Sequence, residues 1–174
     1  MKRLITMVAV AGLVAGTAMA AKLPSKEAPA SGRAWSSAKS YVLEGFEGAF
    51  PPAGWILGVG DASHTWVRDT QVPYQGAAAA KVGWQAAMPQ NETLSFSWPV
   101  GAGEDLFFAT QGSIYWTMNA NFTVEVNGAV VYDFHAANAG TSWLWEYVQV
   151  DLAAYEGTSP TFTFRYAGSD GADH

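Results

Sequence analysis

The stretch Phe46-Glu47-Gly48-Ala49-Phe50-Pro51-Pro52-Ala53-Gly54-Trp55 limits this chain more than any other. Two adjacent prolines cannot sit inside a helix, because each removes a backbone donor and its ring crowds the preceding turn. They cannot sit inside a central strand either. The segment therefore reads as a short strand ending near Glu47, a rigid turn, and a second apolar stretch that starts at Trp55. Phe46, Phe50 and Trp55 are too large and apolar to stay in water, so the turn is expected to be stapled onto a core. His64-Thr65-Trp66 follows shortly after.

Lys2 and Arg3 precede an apolar run from Leu4 to Ala18, which closes on Ala18-Met19-Ala20. Charged start, apolar centre and small-residue end are the three parts of a secretory signal. The run is too short and too rich in Ala and Gly to favour a permanent membrane span. Cleavage is expected after Ala20, leaving 154 of the 174 residues to be exported to the cell surface or medium. Residues 21–40 read as a linker of Pro, Ser, Ala and Lys without apolar periodicity. The globular part is expected over 41–174, a length that fits one domain with a sizeable core.

There is no cysteine, so neither disulfides nor zinc thiolates nor a cysteine nucleophile are available. Beyond residue 40 the chain has three bases against 14 acids, a net charge of −11. So acidic a domain is a poor partner for nucleic acid or anionic lipid. It suits solubility, or divalent cations held by clustered carboxylates.

Short alternating runs divided by Gly and Pro fill the rest. Thr93 to Trp98 places Leu94, Phe96 and Trp98 on one face. Asp105–Ala109, then Ser113–Met118, read as another strand region around Gln111-Gly112. Asn127-Gly128 is the preferred two-residue hairpin turn. It pairs Val126 with Ala129, Glu125 with Val130, Val124 with Val131 and Thr123 with Tyr132. Trp145–Leu152 alternates, as does Thr161–Tyr166, which puts Phe162, Phe164 and Tyr166 on one face. Gln75–Trp84 has four alanines between glycines, and a tightly packed strand is the reading preferred over helix. About eight strands with turns between them indicate an all-β sandwich or barrel.

Three motifs together resemble the cleaved-adhesin, or choice-of-anchor J, domains, exported bacterial relatives of the MAM-type jelly rolls. They are Phe46-Glu47-Gly48…Phe50-Pro51-Pro52-Ala53-Gly54-Trp55 with His64-Thr65-Trp66, then Trp145 to Gly157, then Phe164 to Asp173. The resemblance implies a jelly-roll β-sandwich of two antiparallel sheets across residues 41–174. In that family a last strand usually follows the third motif. Since the chain stops at His174, where that strand should begin, the expectation is a truncated C-terminus and a sheet short of one strand. The resemblance also implies a structural calcium site where Glu47 meets the C-terminal region, with Asp170 and Asp173 as further ligands.

Candidate chemistry is sparse. His64 has no partner at metal-ligand spacing and reads as a turn residue beside a packed Trp66. His135 lies just past a strand with Asp133 two residues before it; two residues apart on a strand share a face, so the pair could hydrogen-bond. No G-x-S-x-G occurs, Gly58-Val59-Gly60 lacks the Lys-Ser/Thr of a phosphate loop, and Glu104 and Asp105 would face opposite ways on a strand. Both sequons, Asn91-Glu92-Thr93 and Asn121-Phe122-Thr123, read as chance in a bacterial protein. Of the eight tryptophans, Trp55, Trp66, Trp98 and Trp145 fit core or motif positions. Trp84, Trp116 and Trp143 do not, and are candidates for stacking on sugar rings. The expectation is an exported, non-catalytic recognition or adhesion module that binds an extracellular protein or glycan and is stabilised by calcium. A polysaccharide-acting hydrolase or its carbohydrate-binding accessory domain is the alternative, and a structural spacer the third reading.

Overall fold

A computed structural model of the chain describes residues 3–11, 40–83, 89–113, 120–138 and 141–169. The chain is an all-β sandwich of two sheets. In chain order its strands are β1 (Arg3–Ala11), β2 (Ser40–Glu44), β3 (Ile56–Gly58), β4 (Val67–Asp69), β5 (Ala79–Val82) and β6 (Gln90–Ser97). There follow β7 (Asp105–Ser113), β8 (Ala120–Val126), β9 (Ala129–Asp133), a short helix α1 (Phe134–Asn138), β10 (Thr141–Asp151) and β11 (Thr161–Gly168). None of the helices among the described residues is long and apolar enough to cross a membrane.

One sheet has the order β3-β6-β11-β8-β9 and is antiparallel throughout. The other runs β10-β7-β1-β5-β4, with β2 also alongside β1. In it β7 with β10 and β4 with β5 are antiparallel, whereas β1 is parallel to β2, β5 and β7. The segment read as an export leader thus has its Arg3–Ala11 portion in a strand. Residues 12–39, including most of the expected linker, lie outside the described residues.

The alternation in the sequence becomes the packing between the sheets. Phe162, Phe164 and Tyr166 of β11 are buried, beside Leu94 and Phe96 of β6 and Phe122, Val124 and Val126 of β8. Facing them are Leu106 and Phe108 of β7, Ala80 and Val82 of β5, and Val148 and Val150 of β10. Aromatic rings dominate the contact. Phe96 stacks between Trp55 and Phe162, at 4.5 and 5.0 Å between centroids. Phe164 stacks on Phe122 and meets Phe108 edge-on at 5.7 Å. Such pairs add to area burial because ring edges and faces carry opposite partial charge.

The Pro-Pro turn is stapled as expected. Phe46 is buried and meets the edge of Trp55 at 5.7 Å and Phe50 at 5.9 Å. The turn closes with Trp55 N–H donating to Pro52 C=O at 3.0 Å, with Gly54 at φ 83°. That backbone conformation disfavours any residue with a Cβ.

Four local expectations are corrected. Residues 105–113 form one continuous strand, since Gln111 and Gly112 are buried within the sheet and do not turn; residues 114–118 lie outside the described set. The 127–128 hairpin has both central residues at positive φ, but a bulge shifts its register. Val124 therefore pairs with Tyr132 and Thr123 with Asp133, placing Tyr132 in the core and Val131 at its margin. Trp145 is not in the core between the sheets; it packs on Ala79 and Ala109 in a separate apolar cluster. His135 lies just past β9 as expected, but it is in α1, so the strand-face geometry expected for it and Asp133 does not apply.

Phe164 sits at the crossing of these ring contacts, 1% exposed. Phe164→Ala is expected to cost about 3–5 kcal/mol, the range for emptying a buried aromatic site. Urea unfolding followed by tryptophan fluorescence measures it.

Candidate functional site

The first site is a buried carboxylate. Glu92 follows the inward alternation of Leu94 and Phe96, so its side chain enters the protein near the start of β6 and is 0% exposed. Burial of a carboxylate requires donors. Glu92 Oε1 accepts from Asp61 N–H at 2.7 Å, and both its oxygens accept from Gly60 N–H at 3.0–3.1 Å. Its backbone carbonyl accepts from the indole of the fully buried Trp66 at 3.2 Å. Glu92 therefore anchors both the loop 58–66 and the tryptophan that ends it. The glycines of Gly58-Val59-Gly60 are needed for this approach. A Cβ at Gly60 would stand 2.7 Å from Glu92 Oε1, and one at Gly58 2.2 Å from Thr93 Oγ1.

The same loop holds His64, whose Nδ1 lies 2.7 Å from Asp61 Oδ2. Asp61 also accepts from Ser63 N–H at 2.9 Å. The Ser63 amide first, then His64, hold the Asp61 carboxyl below its ordinary range, against a smaller opposing effect of desolvation. This is a turn closed by its own side chains, as the reading of His64 expected.

A second polar group closes one end of the sandwich. The Tyr132 hydroxyl donates to Glu146 Oε2 at 2.8 Å, and Asn138 Nδ2 donates to both, at 3.2 and 2.8 Å. Burial and then the Glu146 hydrogen bond push the Tyr132 phenol upward, so it stays a neutral donor. Asp133 accepts from Asn121 Nδ2 and, as a cap, from Ala136 N–H in α1. Desolvation alone would raise the Asp133 carboxyl, but these bonds and the neighbouring His135 charge outweigh it and lower it. The His135 ring bonds Ala120 C=O at 2.9 Å. The His135 ring thus bonds Ala120 C=O and not the Asp133 carboxylate, and His135 acts on Asp133 through its charge and its backbone amide.

Glu47, the first of the residues singled out for calcium, is exposed at the end of the Phe46 turn. Its Oε1 accepts from Ala77 N–H at 2.8 Å, and a Cβ on Gly76 would stand 2.0 Å from that oxygen. The nearby carbonyls of Phe46 and Glu47 accept from Arg68, at 2.6 and 3.3 Å. Calcium asks for six to eight oxygens. Glu47 offers an exposed carboxylate in a cradle with no Cβ, while a guanidinium already takes the two carbonyls beside it. Asp170 and Asp173 lie outside the described residues. Among the described residues, no three His, Asp or Glu side chains gather as a metal-holding group.

The third site is aromatic and superficial. Trp145 of β10 lies over Ala79 of β5 and Ala109 of β7, small residues that make a flat floor. Tyr74, 39% exposed, meets its edge at 5.4 Å. Next to them Tyr147 lies over Phe107 at 5.6 Å, within 30° of parallel. Polar groups flank this strip. Gln149 donates to Asp105 at 2.8 Å on one side, and Lys81 and Asp69 stand 4.0 Å apart on the other. Trp84 and Trp116 lie outside the described residues, and of Trp143 only the backbone, in β10, is described.

Sequence reasoning missed Glu92, although its parity with Leu94 and Phe96 marks an acid on the inward face. It also missed Tyr74, and it assigned Trp145 to a core or motif position although the inward alternation of Val148, Val150 and Leu152 already places Trp145, with Tyr147, on the opposite face. No family model matches the chain, and no curated protein or solved structure matches it.

Glu92→Gln keeps the shape but turns one acceptor into a donor facing the Gly60 and Asp61 amides. The expected cost is about 2 kcal/mol, in the range for hydrogen bonds to a buried charge. Urea unfolding gives the number, and faster hydrogen exchange at Gly60 and Asp61 locates it.

Proposed function

We propose that this protein is an exported, non-catalytic recognition module of jelly-roll type whose ligand is a glycan. The observation that supports this reading is the Tyr74–Trp145–Tyr147 strip on the outer face of a sheet, flanked by side chains that can bond hydroxyls. Sugar rings present apolar C–H faces and equatorial hydroxyls. A flat indole or phenol ring matches the first at low conformational cost. Asp69, Lys81, Asp105 and Gln149 are suited to the second. The acidic charge speaks against nucleic acid and anionic lipid as ligands.

The test is binding of the purified protein to a panel of soluble polysaccharides, by affinity electrophoresis and calorimetry. Trp145→Ala and Tyr74→Ala are each expected to weaken binding about tenfold, equivalent to about 1.4 kcal/mol. Their melting temperatures should stay close to that of the parent, since both residues lie outside the core between the sheets. An unchanged affinity in both variants would overturn the proposal.

The structural calcium implied by the resemblance belongs to the same proposal, with Glu47 as its one described candidate ligand and Asp170 and Asp173 as the others. Calcium that binds only the folded chain at 100 times its Kd would stabilise it by about 2.7 kcal/mol. Melting in excess chelator and in added calcium checks this. A rise of several degrees with calcium, lost in Glu47→Gln, is the expected outcome, and identical melting removes the ion from the proposal.

A further inference from the structure

The charge beside the aromatic strip narrows the kind of sugar it can take, an inference that rests on the glycan reading above. On β10 the residues that alternate with the buried Val148 and Val150 face outward. They are Tyr147, Gln149 and Asp151, with Trp145 on the same side over Ala109. β10 is the edge strand of its sheet, so this column is open along one flank. Successive outward residues on a strand stand about 6.8 Å apart, and the column from Trp145 to Asp151 therefore runs about 20 Å. That length takes several sugar rings in line. Two aromatic rings occupy one end of it and a carboxylate the other.

The neighbouring strand adds a second carboxylate at the same end. Asp151 pairs directly with Asp105 of β7, and Gln149 with Phe107. Asp105 shares the outward parity of Phe107 and Ala109, since Leu106 and Phe108 are in the core. Side chains directly opposite on one face have Cβ atoms about 4.5–5.5 Å apart, and like charges placed so repel. Among the described residues of 41–174, every Lys and Arg is engaged elsewhere. Arg68 is held by the carbonyls of Phe46 and Glu47, Arg165 by Glu125 on the other sheet, and Lys81 by Asp69 at 4.0 Å. Asp105 accepts instead from the Gln149 side-chain amide, and Asp151 from the Ala153 N–H, both at 2.8 Å. These neutral donors orient the two carboxylates and leave their charge standing.

We propose that the ligand is a basic glycan, a polymer of sugars bearing free amines, with Trp145 and Tyr147 stacking on its rings and Asp105 and Asp151 taking an ammonium between them. Charge complementarity selects this class. A glycan carrying carboxylates or sulfates meets two uncompensated anions and is repelled. A neutral glycan leaves the repulsion between the two aspartates in place. An ammonium removes that repulsion by pairing with both, and the faces of the adjacent rings attract it as well. The rings thus supply contact common to any sugar, and the two aspartates determine which sugar is preferred.

The test is calorimetry of the purified protein with oligosaccharides of equal length and linkage, built from glucosamine, N-acetylglucosamine, glucose or glucuronic acid. A pH of about 5.5 keeps the sugar amine protonated and lies above the ordinary aspartate range. The glucosamine oligomer is expected to bind at least about tenfold more tightly than the other three. That preference should shrink as salt rises from about 0.1 M to about 1 M. In the double variant Asp105→Asn, Asp151→Asn the glucosamine oligomer should bind no better than the glucose oligomer, whose affinity stays at the parent's value. The melting temperature of that variant should equal or exceed the parent's, because a like-charge pair has been removed. Trp145→Ala should weaken every oligomer that binds. Equal affinity for the glucosamine and glucose oligomers, or a preference that survives in the double variant, would overturn the proposal and leave the glycan reading standing. Oligolysine serves as a control for charge alone. If it binds as tightly as the glucosamine oligomer and Trp145→Ala affects neither, the proposal is also overturned. Binding of none of the four oligosaccharides removes the glycan reading and this proposal with it.

Discussion

Packing of a stacked aromatic layer on one sheet against the other sheet, with Phe108 meeting Phe164 and Tyr132 edge-on across the gap, is the interaction on which the rest of this protein depends. Without cysteine there is no covalent tie between the layers. The antiparallel sheet brings Phe96, Phe122, Phe162, Phe164 and Tyr166 to one surface, and the other sheet answers with Phe108 and small aliphatic residues. Large rings opposite small residues allow a dense interior with few strands. The Pro-Pro turn adds Phe46, Phe50 and Trp55 to the same stack, and so joins residues 46–55 to β11.

Polar groups finish what the rings begin. Glu92, Tyr132, Glu146 and Asn138 sit where the apolar layer meets loops, and each finds donors or acceptors within the fold. Buried carboxylates of this kind are costly unless satisfied, so they specify one loop arrangement over others. On the outer face of the antiparallel sheet, Arg165 bonds Glu125 at 2.7 Å and bridges to Asn91. That surface carries charge and hydroxyls, with the exposed aliphatics Ile56 and Val130 on its edge strands, whereas the outer face of the other sheet holds Trp145, Tyr147, Phe107 and Tyr74. The two outer faces thus differ in chemistry, and the aromatic one is the surface proposed for glycan binding.

Much of the fold was legible because strand periodicity acts locally. Phe162-Phe164-Tyr166, Leu94-Phe96 and the Asn127-Gly128 turn were read correctly, since alternation and positive φ are properties of a few consecutive residues. The failures involve register and distance. A single bulge moved Tyr132 into the core and left Val131 at its edge. Nothing near Trp145 in the chain shows that Ala79 and Ala109 lie beneath it, because those residues come from other strands. The candidate residues Trp84, Trp116, Asp170 and Asp173 fall outside the described part of the fold, whereas Glu47 is seen holding the Ala77 amide.

By itself the sequence determined an all-β chain with a stapled Pro-Pro turn, a core of alternating aromatics and an acidic surface. Each of these follows from residue size, backbone restriction or charge, which do not depend on distant neighbours. The tertiary structure alone decided that Glu92 anchors the loop 58–66, that Tyr74 and Trp145 meet, and that β1 bridges β7 to β2 and β5. Those are pairings between residues far apart in the chain, and only the folding of one sheet over the other brings them within contact distance.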